Sequence, residues 1–488
     1  MSKNLRQKAV RGVWWSAIER GGVALVQFVI GVLLARILLP EQFGLIGMLS
    51  VFIALSQILL NSGFGSAIIQ RQDLSDVDTS SVFYLNVGLG LLIASLLFCS
   101  AAAIASFFGQ SELEPLTRFM SYKVAIASFS VVQLAILRRE LKFRAIAVIS
   151  ISAIFVSGIV GVTLAIIGFG VWALAWQQFV MAVVTTVVSW TVAAWRPRLL
   201  FSVQSLREMF AFGSKLLVAA LMFQGFRHVY SAVIGKLYLP AELGYYTRAT
   251  GLQQMATRTT NSIVTRVSFP VLATIQDDAP RMRRGLREML QVLTLINTPL
   301  MLGLLVAARP LVIAILTEKW LPSVPLFQVL CLVGALYPLQ VINVQFLIAT
   351  GRSGLNLKIA MVKNLIRVVA LVVTCQWGVL AIVWGQLVVA LIAYLINCHY
   401  TSKILEYAAF RQLRDVFPCV LVGSIMAIAI YPLNGLQETS VWLVLSLQVT
   451  LGALVLFVLC WLLKLEAYHI VLKEVARRWK SRNEELKD

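Results

Sequence analysis

Arginine, histidine and amide side chains recur at helical spacing inside stretches that are otherwise apolar, and they define the chemistry open to this chain. Thr247, Gly251, Gln254, Arg258, Asn261 and Thr265 follow one another at alternating steps of four and three, which places them in one stripe down a helix, with Arg248 beside it. Gln224, Arg227 and His228 sit near the middle of the preceding apolar run, and Arg20 and Gln27 share a face of the first. Arg367 lies well inside a later run. A charged side chain at the centre of a bilayer costs about 2.5–3.5 kcal/mol or more, so cations this deep are candidate binding groups. Arginine suits phosphate, because its planar fork donates two parallel hydrogen bonds. The candidate substrate-binding residues are therefore Arg20, Gln27, Arg227, His228, Arg248, Gln254, Arg258, Asn261 and Arg367. The stripe has two readings: it lines a water-filled cavity, or it makes a hydrogen-bonded network between helices. Lys215, Lys358, Lys363, Arg118 and Lys123 lie nearer the ends of their runs and read as side chains that snorkel to the interface.

Carboxylates are scarce by comparison. Of 22 acidic residues, Glu19 alone falls inside an expected span, which makes it the candidate ion-coupling group; the rival reading pairs it with Arg20 or the basic amino terminus. A path lined by cations favours an anionic substrate. Moving an anion out of an inside-negative cell is downhill by about 2.3 kcal/mol per charge per 100 mV. No metal or cofactor is expected: His228, His399 and His469 are scattered, and the six cysteines show no CxxC pairing and suit apolar packing.

The elements that must position these groups follow from composition. With 59% hydrophobic and 13% charged residues and a mean hydropathy of +0.85 over 488 residues, the chain is an all-α polytopic membrane protein. About fourteen spans are expected, among them 13–35, 44–62, 116–137, 210–235, 244–265 and 357–375. The net charge of +20 follows topology and does not mark a nucleic-acid partner. Most lysines and arginines fall in loops on the side of the two termini, and the opposite side holds only Arg36, Lys236, Arg309 and Lys319. That asymmetry is the positive-inside signature, so both termini are expected to be cytoplasmic. The first apolar run is long, carries Glu19-Arg20 and has no small-residue cleavage site, so it reads as a retained helix. Short loops leave no room for a catalytic domain, and an enzyme is not expected.

Two internal echoes order the spans. Leu34 to Gly44, with Pro40 and Glu41, returns as Ile234 to Gly244, with Pro240 and Glu242, at an offset of 200. Gly170-Val171-Trp172 through Gln178 returns as Gly378-Val379-Leu380 through Gln386 at an offset of 208. The expected organisation is a six-helix lobe over 1–195, a cytoplasmic link over 196–209, a parallel six-helix repeat over 210–400, two further helices within 401–463 and a cytoplasmic tail over 464–488.

The chain resembles the bacterial polysaccharide exporters and lipid-linked oligosaccharide flippases of the multidrug/oligosaccharidyl-lipid/polysaccharide superfamily, the colanic acid exporter type in particular. The resemblance rests on Trp14-Trp15-Ser16-Ala17-Ile18, the Leu34–Gly44 corner, Gly63-Phe64-Gly65 through Arg71, Tyr84-Leu85-Asn86, Arg266-Val267-Ser268-Phe269-Pro270 through Asp278, and Glu318-Lys319-Trp320. It implies that an undecaprenyl-diphosphate-linked oligosaccharide repeat unit is moved to the outer leaflet by alternating access, with helices 1, 2, 7 and 8 around the path. It also implies membrane lipids, a polysaccharide polymerase and export machinery as partners. Rival readings are a cation-coupled multidrug antiporter of the same superfamily, which would want intramembrane carboxylates, and a membrane polysaccharide polymerase or ligase, which would want a large periplasmic loop.

Overall fold

The structure, a computed structural model, describes residues 21–61, 64–71, 73–263, 272, 274–275, 278–436 and 439–470. Every regular element among them is a helix. In chain order these are α1 (Gly21–Ile37), α2 (Pro40–Asn61), α3 (Phe64–Gln70), α4 (Asp76–Cys99), α5 (Ala101–Phe108), α6 (Leu113–Ser128), α7 (Val131–Arg139), α8 (Phe143–Ile167), α9 (Val171–Val192), α10 (Val203–Leu237) and α11 (Pro240–Ile263). They continue as α12 (Ala279–Val306), α13 (Ala308–Leu316), α14 (Ser323–Ala335), α15 (Tyr337–Ala349), α16 (Ser353–Thr374), α17 (Val379–Leu405), α18 (Ala409–Ile430) and α19 (Val441–Leu462).

Ten helical segments are long and apolar enough to cross a membrane, and the chain is a multi-pass membrane protein. Their outward faces carry the apolar side chains that lipid would cover: Val449 and Trp461 of α19 are 70% and 66% exposed. The other four expected spans fall on α1, whose described part is short, and on α10, α11 and α16, which lie outside that set. For α11 and α16 the cause is their polar and charged residues, Gln253, Arg258, Lys363 and Arg367 among them.

By packing, the chain divides into two units, Met1–Gly244 and Tyr245–Asp488. In the first, α8 and α9 form a hairpin, and Gly158 leaves room for Ile30 of α1 to press against α8. Phe83 of α4 gathers Phe129, Trp190 and Trp195 at ring separations of 5.9–6.3 Å. The second unit is built on α12, α15 and α18, whose Leu286, Leu290, Ile342, Phe346 and Val416 are buried together. Within that core Asn343 and Gln412 are fully buried and exchange two amide hydrogen bonds of 3.0 and 3.1 Å. All six cysteines are free, and Cys331, Cys398, Cys419 and Cys460 are buried.

The repeated corner has a structural meaning. Pro40 opens α2 with two residues between it and the end of α1, and Pro240 opens α11 in the same way after α10. Proline suits that first position because its fixed φ is already helical and no donor is needed there. The corners meet within the first unit: a methyl on Gly44 would coincide with the backbone carbonyl of Pro240, and one on Gly244 would coincide with that of Pro40. Backbone packs on backbone, and only glycine allows it. The second echo also marks helix starts, for Gly170 and Gly378 precede α9 and α17 with φ of 58° and 92°.

Gly44→Ala and Gly244→Ala should each lower the thermal midpoint of the detergent-purified protein, since overpacking costs about 1–3 kcal/mol. Gly88→Ala is the control, because nothing lies within 4 Å of its would-be Cβ. A glycine-corner variant as stable as wild type would show that the corners do not bear on each other.

Candidate functional site

Polar groups converge inside the second unit on the buried sides of α11, α16 and α17. Gln386 of α17 donates to the Tyr246 hydroxyl at 3.1 Å. Lys363 Nζ donates to Asn397 Oδ1 at 3.1 Å, and Arg367 Nη1 to Asn364 Oδ1 at 2.8 Å. Arg367 acts electrostatically on both Tyr246 and Lys363, so these pairs form one cluster. Along α11, Gln253 Nε2 donates to Thr257 Oγ1 at 3.0 Å, and both are buried. Arg248 is half-buried with its guanidinium 5.8 Å from the ring of Trp320, which is itself fully buried and edge-on to Tyr245. The Glu318-Lys319-Trp320 motif therefore supplies the aromatic base on which α11 rests.

The first unit also holds an interior cation. Lys123 of α6 donates to Gln178 Oε1 of α9 at 2.7 Å. Arg227 of α10 is exposed on its unit, with His228 half-buried next to it, and Gln27 of α1 is exposed as well.

Acidic groups are used differently. Asp78, in the first turn of α4, closes a capping box with Ser75 and accepts from the hydroxyl of Ser205 in the first turn of α10. Arg71 bridges Asp78 and Glu208 at 3.7 and 3.1 Å, Arg198 pairs with Asp76 at 2.8 Å, and the amides of Arg198 and Ser202 donate to Ser80 and Ser81. The segment from Arg198 to Glu208 is thus sewn onto the start of α4. In the second unit Arg287 of α12 meets Asp415 and Glu466 at 3.5 and 3.1 Å, and Tyr407 donates to Asp415 at 2.7 Å. Burial, and then that hydrogen bond, hold the Tyr407 phenol protonated well above its usual range.

A family model for polysaccharide biosynthesis proteins matches residues 33–325, more than half of the chain. This chain belongs to that family. It is 29% identical over 419 residues to the lipopolysaccharide biosynthesis protein WzxC of Escherichia coli, covering 84% of each chain. It is 26% identical over 458 residues to the teichuronic acid biosynthesis protein TuaB of Bacillus subtilis, covering 92% of this chain and 95% of TuaB. The succinoglycan biosynthesis transport protein ExoT of Rhizobium meliloti is 29% identical over 337 residues, 68% of this chain and 67% of ExoT. Among solved structures the lipid II flippase MurJ, in an inward closed conformation, superposes with a TM-score of 0.75 at 14% identity, covering 92% of this chain and 98% of MurJ. An inward-facing MATE multidrug transporter superposes at 0.59 and 16% identity, covering 79% and 96%. These likenesses establish the fold that a member of the family adopts here.

Against that fold, the sequence-predicted residues divide. Glu19, Arg20, Thr265 and the 266–271 part of the proline motif lie outside the described residues, and so do the side chains of Gln224, Arg258 and Asn261. The stripe on α11 does not face the core of its unit: Gly251 is exposed and Thr247 and Gln254 are half-exposed, while Tyr246, Gln253 and Thr257 occupy the buried side. Arg367 joins a cluster; Arg248 is stacked on Trp320. Lys363 gains a partner that spacing alone does not show. The helix α16 begins at Ser353, four residues before the expected span, so Lys363 lies in its third turn, bonded to Asn397. Gln178 and Gln386 carry the one sequence signal for these contacts, since both close the second repeat.

Asp78→Ala would remove the carboxylate that holds Ser205 and Arg71, leaving buried donors unpaired at a cost of about 1–3 kcal/mol. The expected outcome is faster trypsin cleavage after Arg198 or Arg207, read by mass spectrometry on folded protein. Cleavage at the wild-type rate would show that the segment is held by other contacts.

Proposed function

We propose that this chain is a flippase: it moves an undecaprenyl-diphosphate-linked oligosaccharide repeat unit from the inner to the outer leaflet of the bacterial inner membrane by alternating access, for exopolysaccharide or lipopolysaccharide production. The observation that carries this reading is the separation of charge within a polysaccharide-biosynthesis fold. Described carboxylates such as Asp76, Asp78, Glu114 and Asp415 lie toward the starts of their helices, where several pair with arginine, whereas cations and amides recur midway along the sequences of α10, α11 and α16, the interior of the expected spans. An anion is the substrate such an interior attracts. The names borne by WzxC, TuaB and ExoT point to polysaccharides, and MurJ is named as a lipid II flippase.

The finer architecture belongs to the same reading. Fourteen spans are obtained when α1, α10, α11 and α16 are added to the ten apolar segments, and the basic loops then place both termini in the cytoplasm. The lobes run over 1–195 and 210–400, joined by the 196–209 link. Arg20, Gln27, Arg227 and His228 would serve the substrate from the first helix of each lobe, and Arg248, Gln254, Arg258, Asn261 and Arg367 from α11 and α16. Glu19 is the candidate coupling site if an ion is exchanged. A polymerase and export machinery would receive the flipped unit.

Arg227→Ala and Arg258→Ala should each abolish surface polysaccharide in a strain relying on this gene, with membrane abundance unchanged by immunoblot. Normal polysaccharide from both strains would refute the cationic path.

A further inference from the structure

Lys363 and Arg367 stand one turn apart on α16, and the exposure pattern of the helix shows which way they face. Met361, Leu365, Val369 and Val372 recur along one side and are 44–65% exposed, whereas Ile359 and Leu371 on the other are 2% exposed. At about 100° per residue, Lys363, Asn364 and Arg367 fall in the sector of Ile359 and Leu371. A lysine or arginine reaching for headgroups would share the open side with the leucines and valines. These two are turned into the protein. Counting about 1.5 Å per residue from Ser353, they lie roughly 15 and 21 Å along the helix, inside a hydrocarbon core roughly 30 Å thick.

Their surroundings supply no negative charge. Lys363 is bonded to the carbonyl of the Asn397 amide and Arg367 to that of Asn364, and among the described residues no ion pair includes either cation. Asn397 is fully buried, and its Nδ2 donor has no acceptor among the described residues. Two like charges a turn apart repel each other, and both are costly to keep out of water. Three donor groups without an anionic acceptor at this depth describe a site whose acceptor arrives with a ligand. A diphosphate diester carries one negative charge on each phosphate, which matches the two cations.

We propose that Lys363, Arg367 and the Asn397 amide form an anion station in the second unit that takes the diphosphate of the lipid carrier. This rests on the flippase reading, and it gives Lys363 and Asn397 a role that neither had from spacing. Tyr246 and Gln386, hydrogen-bonded to each other beside Arg367, keep that flank of the station neutral.

The test uses full-length protein in nanodiscs of zwitterionic lipid, with undecaprenyl diphosphate, undecaprenyl monophosphate and inorganic pyrophosphate as probes. Wild type should bind undecaprenyl diphosphate more tightly than the monophosphate, the double variant K363Q/R367Q should lose about tenfold or more of that affinity, and Lys363→Arg should retain it. Size-exclusion profiles certify folding, and Asn397→Ala supplies an independent lesion expected to weaken the same binding. If the double variant binds the lipid diphosphate as wild type does, the station is refuted while the flippase reading stands. If wild type binds pyrophosphate at this site but not the lipid, the flippase reading falls and the station remains as a site for a soluble diphosphate. Binding of none of the probes by wild type overturns both.

Discussion

The contact that the first unit depends on is between main chains. Gly44 lies on the Pro240 carbonyl and Gly244 on the Pro40 carbonyl, so two equivalent corners meet reciprocally, each presenting to the other what it receives. The contact is self-complementary, as between two like surfaces related by a two-fold axis. It fixes where α10 ends and where α11 begins. The other end of α10 is fixed by chemistry of a different kind, the carboxylates of Asp78 and Glu208 with Ser205 and Arg71. At 35 residues α10 is about 50 Å long, more than a bilayer core requires, and it is held at both ends with Arg227 and His228 between them.

Charge in this protein divides by depth. Near helix starts arginine meets acid, as in Arg198–Asp76 and Arg287–Asp415. Pairs exposed to water contribute little stability, commonly about 0–1 kcal/mol each, so their value lies in which segments they join. Deeper, amides replace carboxylates: Asn364 and Asn397 face Arg367 and Lys363, and Gln178 faces Lys123. An amide carbonyl satisfies a cation's donor without cancelling its charge, so the field of the cation remains available to a substrate.

How much of this was legible in the sequence depends on whether one chain segment sufficed to see it. Composition and apolar run length locate the helices, and the repeated Pro40 and Pro240 corners are visible because the offset compares the chain with itself. Helix ends were less legible. Ser202 caps α10 and starts it at Val203, inside what reads as a link, and Ser353 starts α16 four residues before the expected span. The buried pair on α11, Gln253 and Thr257, is masked in the sequence by the more regular Thr247–Asn261 stripe, and regular spacing says that residues share a face without saying what covers it. The reciprocal pair Asn343 and Gln412 could not be read at all, since 69 residues separate two amides that matter only to each other.

The two echoed stretches show what each kind of constraint tolerates. Glycine and proline at the corners recur unchanged, because a main-chain contact has no larger substitute and a fixed φ has no imitation. Side-chain positions have drifted apart. Gln178 accepts from Lys123 in the first unit, while Gln386, its counterpart at the offset of 208, donates to Tyr246 in the second. Gln27 corresponds to Arg227 in the same way. An amide can either accept or donate, so a glutamine keeps its place in the repeat while its partner changes from a cation to a neutral hydroxyl. The echoed positions thus keep their backbone contacts while their side chains differ in charge, so the two stretches are alike in scaffold and electrically unequal.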